Sequence, residues 1–258
     1  MLSTLKELSR LCVEFGVDPV RTWRATRTLP VLLLTALRYS RLYQGGPFDV
    51  KLLSLRLCTR DFDGVAGSAC GHYFFQDLWA ARRIFSRRPE MHVDVASRID
   101  GFVAHVLSFM PVTVVDVRPL ASVVRGLTFI QSDATSLGAF GDRTLDSVSS
   151  LHAVEHFGLG RYGDAINPNA PFVAMRALAR VLRPEGRLYF AVPIGIERLE
   201  FNAHRIFSPE TVIEVFESHN LCLTSFHVVD DKGCYHEDVQ PKDFRSAKYA
   251  CGMFEFTR

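Results

Sequence analysis

The stretch from His92 to Asp133, HVDVASRIDGFVAHVLSFMPVTVVDVRPLASVVRGLTFIQSD, constrains the fold more than any other part of the chain. Val93 and Val95 flank Asp94 in a short apolar run, and a loop follows. From Ile99 to Met110, the spacing of Phe102, His105, Val106 and Phe109 predicts one inward helix face. Pro111 ends that segment. Val112, Val114, Val115 and Val117 form a β-branched run suited to a strand covered on both faces. Leu127 to Gln131 is a third short apolar run. Strand, helix, strand, strand in this order predicts a parallel sheet with ligand chemistry at the carboxyl ends of its strands. Asp94, Asp116 and Asp133 stand at or near those ends. Asp116 follows Asp94 by 22 residues, a spacing that suits a carboxylate accepting hydrogen bonds from a ribose diol.

The chain has 258 residues, enough for one large domain or one domain with an added lobe. A net charge of +2 and the lack of a long basic tract argue against a nucleic-acid partner. Six scattered cysteines without a CxxC pair predict reduced thiols in a cytosolic protein. The N-terminus lacks a signal-peptide layout. The apolar run Leu29 to Leu37 contains Thr35 and is shorter than the roughly 20 residues of a membrane span. A cytoplasmic location with no membrane span is therefore expected.

Residues 1 to about 43 predict helices. Thr4 and Glu7 suit a capping box, and Leu5, Leu8, Cys12 and Phe15 share a face that Gly16 ends. Asp18-Pro19 reads as a second helix start and Pro30 as a third. Arg21, Arg24, Arg27, Arg38 and Arg41 stud residues 18–43. They make either a solvated face or a peripheral contact with an anionic membrane surface. Gln44-Gly45-Gly46-Pro47 is a breaker. Val50 to Cys58 alternates imperfectly, as an extended segment would. The glycine-bearing loop Arg60 to His72 divides a helical lobe, 1–70, from a main domain, 71–258. Phe74 to Arg87 predicts a helix with Leu78, Ala81 and Phe85 inward. Further on, Thr144 to Leu151 reads as a strand, Phe172 to Leu182 as a helix, and Arg187 to Val192 as a strand. Ser208-Pro209-Glu210 starts a helix to about His219. Leu221 to Val229 and Ala247 to Phe256 are the last strands.

From about residue 74 onward these features resemble the class I S-adenosylmethionine-dependent methyltransferases. RVLRPEGRLYFAVP is similar to that family's segment of helix, turn and fifth strand. The resemblance implies an α/β, Rossmann-like fold with a mostly parallel seven-stranded sheet, one strand antiparallel, and S-adenosyl-L-methionine as cofactor. It puts Asp94, Ala96, Ser97 and Gly101 in the loop beside the methionine part, Asp116 at the ribose, and Asp133 with Ala134 at the adenine. The family's Asp-x-Gly-x-Gly-x-Gly is here Asp94-Val95-Ala96-Ser97-Arg98-Ile99-Asp100-Gly101. Ala96 replaces a glycine if its φ is negative, and Arg98 is large where backbone would approach the cofactor. GHYFFQDLWAARRIF, HAVEHFGLGRYGD and FNAHRIFSPE are similar to a bacterial-type branch often associated with surface-polysaccharide gene sets. That likeness implies a small-molecule or glycan acceptor, methylated on oxygen.

His152, Glu155 and His156 spell H-x-x-E-H, also the inverted zinc-peptidase signature. That chemistry needs the motif on a helix, whereas here it follows a strand and enters a glycine-rich loop, so no metal site is expected. The family resemblance puts this loop beside the transferred methyl group. His152 or His156 would then be the base and Glu155 an orienter or cofactor contact; the plainer reading is a histidine that ties down the loop. His204 and Arg205 follow the fifth strand and suit substrate, Arg205 a phosphate or carboxylate, unless they form a loop salt bridge. Arg161 and Tyr162, between Gly160 and Gly163, suit a lid over substrate. His72, Tyr73 and Gln76 precede the first strand, where the family's N-terminal segment often covers the cofactor. Two other functions stay open. A nicotinamide-dependent oxidoreductase would need a G-x-G-x-x-G turn that this loop lacks. A non-catalytic scaffold with this fold would have lost cofactor binding.

Overall fold

Asp18 opens the long helix α1 (Pro19–Leu42), its carboxylate accepting from Arg21 N at 2.8 Å. The computed structural model describes residues 12–51, 53, 55–56, 58–59, 67 and 69–258. These fall into two compact units, Met1–Ser68 and Ala69–Arg258, each described by itself. Thr4, Glu7, Leu5 and Leu8 lie outside the described residues, as do parts of the segments 50–58 and 60–72. Pro30 does not start a third helix: α1 runs through it, with good helix formers on both sides outweighing one missing hydrogen bond. Thr28 is the buried residue of α1, while Trp23, Leu34 and Leu42 are exposed. Among the described residues no helix is long and apolar enough to cross a membrane.

The second unit is built on one sheet. Its strands are β1 (His92–Val95), β2 (Val112–Asp116), β3 (Leu127–Gln131), β4 (Leu145–Leu151) and β5 (Leu182–Ile194), then β8 (Cys222–Val229), β9 (Tyr235–His236) and β10 (Ala250–Thr257). A separate hairpin joins β6 (Arg198–Glu200) to β7 (His204–Ile206). The sheet order is β3-β2-β1-β4-β5-β10-β8-β9. The first five strands in that order pair in parallel, and β10 runs antiparallel between β5 and β8. This is the expected seven-stranded arrangement with a two-residue edge strand, β9, added beside β8. The strand order reverses at β1, so the crevice at the carboxyl ends of β1 and β4 is where such a sheet receives a ligand.

Alternation along each strand feeds two cores. Leu188, Phe190 and Val192 of β5 face one core, with α4 (Ala170–Val181) and α5 (Pro209–Glu217). Tyr189 and Ala191 face the other, with α2 (His72–Arg87) and the short α3 (Ala104–Leu107). Phe190, Phe216, Phe254, Met175 and Leu178 are wholly buried, and each such side chain contributes about 1.5–3 kcal/mol. Ser208 caps α5 and Pro209 is its first residue, as the sequence predicts.

Two helix faces differ from expectation. A π-helical turn, Ile99–Val103, precedes α3 and rotates the face, so Val103 is buried and His105 is exposed. In α2 the buried residues are Gln76, Asp77, Trp79, Ala80, Ala81 and Ile84. Phe85 points outward and packs edge-on against Phe109.

Candidate functional site

Beneath the crevice, β1 and β4 share a buried polar chain. His92 bridges Ser147 Oγ (Nδ1, 2.8 Å) and Ser149 Oγ (Nε2, 3.0 Å). Burial lowers its pKa to about 3, so the ring is neutral. Ser149 Oγ donates to Asp94 Oδ1 at 2.5 Å. Ser97 donates twice to the same carboxylate, through N at 3.0 Å and Oγ at 2.6 Å. Leu151 N in turn donates to Ser97 Oγ at 2.9 Å. Burial raises the Asp94 pKa to about 6, against the pull of these hydrogen bonds. Asp94 and Ser97 thus shape the loop after β1 from below and do not line the cavity above it.

Ala96 does line that cavity, with φ at +60°. The residue therefore stands in the left-handed region, contrary to the negative φ expected for an alanine in a glycine's place. Such a backbone costs roughly 1–2 kcal/mol. Gly101 lies away from the cavity. A Cβ there would come 2.4 Å from Asp77 Oδ2, so this glycine admits the α2 carboxylate.

The cavity measures about 680 Å³ and opens at the carboxyl edge of the sheet. Asp116, Asp133 and Ala134 line it. So do His152, Glu155, His156, Arg161, Tyr162 and His204, with Tyr73 of α2. Arg98 lines it too, where the sequence places a large residue beside the cofactor loop, and Arg118, Asp164 and Tyr249 also line it without having been singled out from the sequence. Arg118 lies two residues past Asp116, close enough for its backbone and guanidinium to reach back to that carboxylate. Its guanidinium also sits 4.6 Å over the Tyr162 ring. Arg98 pairs with Asp100 and stacks 4.8 Å over Tyr73. Asp133 Oδ1 accepts from Thr135 N and Oγ1, each at 2.8 Å.

The His-Glu-His turn, Val154–His156, is a single 3₁₀ turn and not the helix a zinc peptidase needs. His152 has φ +49°, and its Nδ1 lies 2.8 Å from Glu155 Oε1. Glu155 is 1% exposed, and its Oε2 has no hydrogen-bond partner among the described residues. Burial disfavours charge on both groups, but the pair outweighs it. Glu155 is held below the usual carboxylate range, and His152, with Cys251 also beside it, is lifted well above the usual imidazole value. His156 differs. Its Nδ1 lies 2.7 Å from Ala203 O, an atom that only accepts, so the proton is on Nδ1 and Nε2 keeps its lone pair. That Nε2 is 3.7 Å from Glu155 Oε1. Burial lowers the His156 pKa, with Glu155 opposing.

Arg205 lies outside the cavity lining. It donates to Glu155 O (3.2 Å) and Phe157 O (2.7 Å) and props the turn from behind. Arg161 donates to Ala203 O at 2.8 Å. His204 Nε2 is 3.3 Å from Glu200 Oε2 without hydrogen-bond geometry, and burial lowers the His204 pKa. Asp164 ties the glycine-rich loop, accepting from Gly158 N at 2.7 Å and Tyr162 N at 3.1 Å. Gly158, at φ +74°, is required there, since a Cβ would lie 2.0 Å from Asn167 O. His72 and Gln76 sit below the cavity, where His72 Nδ1 is 3.1 Å from His152 Nε2.

This sheet, with its crevice at the carboxyl edge, defines a Rossmann-like methyltransferase fold. Its structural neighbours bear this out. The 1,6-didemethyltoxoflavin-N1-methyltransferase of Burkholderia thailandensis, with bound S-adenosylhomocysteine, is 16% identical at a TM-score of 0.51, covering 70% of this chain and 78% of that one. A candidate sarcosine dimethylglycine methyltransferase from Galdieria sulphuraria is 12% identical at 0.53, covering 71% and 85%. The 4+2 cyclase SpnF is 14% identical at 0.51, covering 70% and 81%. A cyclase among these neighbours underlines that such likeness speaks to fold alone. A family described as "Caenorhabditis protein of unknown function, DUF268" matches residues 131–235. No curated protein matches the chain.

Proposed function

We propose that the cavity binds S-adenosyl-L-methionine and that the protein is a methyltransferase acting on a hydroxyl of a small or glycan-like acceptor. The observation that carries this reading is one cavity lined by two strand-end carboxylates, Asp116 and Asp133, and by a histidine with a free lone pair, His156. Asp133 and Ala134 would hold the adenine, Asp116 the ribose, and the backbone at Ala96 the methionine part. Arg118 must turn away from Asp116 for the ribose to bind. Its side chain is half-exposed and can swing toward solvent, at the cost of a bidentate pair on a buried carboxylate, so the residues fit the cofactor. The bound cofactor supplies an electrophilic methyl group.

The chain's own residues handle the acceptor. His156 Nε2 takes the hydroxyl proton as the oxygen is methylated, and the bond from Nδ1 to Ala203 O steadies the imidazolium that forms. The unpartnered Glu155 Oε2 accepts a hydrogen bond from an acceptor hydroxyl, which removes a buried orphan. His152, already donating to Glu155, orients that carboxylate. His204, Arg161 and Tyr162 contact the acceptor at the cavity's outer side.

The test is transfer of a labelled methyl group from S-adenosylmethionine to a panel of hydroxylated sugars. Wild type should transfer, and His156→Gln should lose on the order of 10²–10⁴-fold in rate. Equal rates in both proteins would remove His156 from this role.

A non-catalytic scaffold is the second reading, favoured by the Arg118 guanidinium already seated on Asp116. Peripheral membrane contact through residues 18–43 is a weaker part of the proposal. In α1, Trp23, Arg27, Leu34, Arg38 and Arg41 share one side, so apolar and basic faces are not separated as at a membrane surface. Sedimentation with anionic vesicles checks it.

A further inference from the structure

Below the cavity, a second set of side chains converges, two of which, His72 and Cys251, methyl transfer does not use. His72 Nδ1, His152 Nε2 and Cys251 Sγ all lie within 4.8 Å of one another. They come from three elements: the first residue of α2, the residue after β4, and the second residue of β10. His152 and Cys251 are buried and His72 is half-buried.

Two imidazole nitrogens and a thiol make a borderline-soft donor set that suits zinc and related divalent ions. Tetrahedral zinc, with bonds of about 2.0–2.1 Å to nitrogen and 2.3 Å to sulfur, sets donor atoms roughly 3.3–3.6 Å apart. The two nitrogens here are 3.1 Å apart. The surrounding bonds turn both rings the right way. Glu155 Oε1 holds His152 Nδ1 at 2.8 Å, the carboxylate–histidine arrangement that leaves Nε2 for an ion. The Tyr249 ring stacks on His72 with centroids 5.0 Å apart. Cys251 Sγ lies 3.8 Å from Gln76 Oε1 and beside His152. The left-handed backbone at His152 is a strained conformation of the kind found at built sites.

We propose that His72, His152 and Cys251 bind a zinc-type divalent cation. Three protein ligands leave a fourth position, the form of a catalytic and not a structural zinc site. His152, Tyr73 and Tyr249 all line the large cavity, so the fourth position belongs on that side, for water or an acceptor oxygen. The proposal does not rest on the methyl-transfer reading, because the cluster and its supporting bonds stand without it.

The test uses the full-length, untagged protein, stripped with chelator and then titrated with Zn²⁺ and with Co²⁺. The expected result is one equivalent bound, with the visible bands of tetrahedral cobalt and a thiolate-to-cobalt charge-transfer band. Cys251→Ser should lose the charge-transfer band and His72→Ala should weaken binding at least tenfold, while Cys234→Ser, at an exposed cysteine, should change neither. X-ray absorption of the zinc-loaded wild type should find one sulfur and two imidazoles, a readout that needs no variant to fold. No bound equivalent, a zinc shell without sulfur, or a charge-transfer band that survives in Cys251→Ser would overturn the proposal.

Discussion

Arg118 grips Asp116 by both carboxylate oxygens, with Nε 3.0 Å from Oδ1 and Nη2 2.6 Å from Oδ2. The carboxylate that would hold a ribose is thereby engaged before any ligand arrives. Arg118→Ala should therefore tighten binding of S-adenosylhomocysteine at least severalfold, because the ligand no longer has to displace a bidentate partner from a buried carboxylate. Weaker binding in that variant would mean that Arg118 contacts the ligand itself.

Ala96 holds a left-handed backbone that glycine adopts freely. The strain is roughly 1–2 kcal/mol, and glycine's extra unfolded-state entropy returns roughly 0.5–1 kcal/mol of it. Ala96→Gly should raise the stability seen in urea unfolding by about 0.5–1 kcal/mol. A loss of stability would contradict this account of the loop.

A Cβ at Gly101 would come 2.4 Å from Asp77 Oδ2, so the buried Asp77 side chain would have to shift. Gly101→Ala should destabilise the fold by about 1–3 kcal/mol. Adding Asp77→Ala should recover part of that loss, and a double-mutant cycle reads the coupling. Strict additivity would separate the two residues.

Asp94 carries its folded pKa up to about 6, from an ordinary value of 3.8. Between about pH 4 and 6 the native state keeps a proton that the unfolded chain has lost. This group's contribution to stability therefore falls as pH rises through that window, by at most about 1.4 kcal/mol per unit. Neutral His92 works in the opposite direction, because the unfolded chain protonates it first as pH falls. Asp94→Asn removes the Asp94 fall and leaves the other groups titrating as before, so stability relative to wild type should climb from pH 4 to 6. Parallel curves for the two proteins would contradict the assignment.

Much of the fold was legible because it rests on local pattern. The valine run of β2, the Ser208 cap and the order of strands and helices follow from neighbours in the chain. The misread features come from longer range. A π-helical turn moved His105 out to solvent, and flanking helix formers carried α1 through Pro30. In the site, the strand-end carboxylates and His156 were visible as residues, but their geometry was not. Nothing in the sequence gives the proton on His156 Nδ1, which Ala203 sets from 47 residues away. The same holds for Cys251 beside His72, joined only by the fold.

The central claim is that this cavity binds an adenosyl cofactor. Calorimetric titration of the full-length protein with S-adenosylhomocysteine tests it most directly. The account predicts micromolar dissociation, about −8 kcal/mol, weakened at least tenfold in Asp116→Ala. No heat and no thermal shift at millimolar ligand, with Arg118→Ala equally silent, would contradict it and leave the scaffold reading in its place.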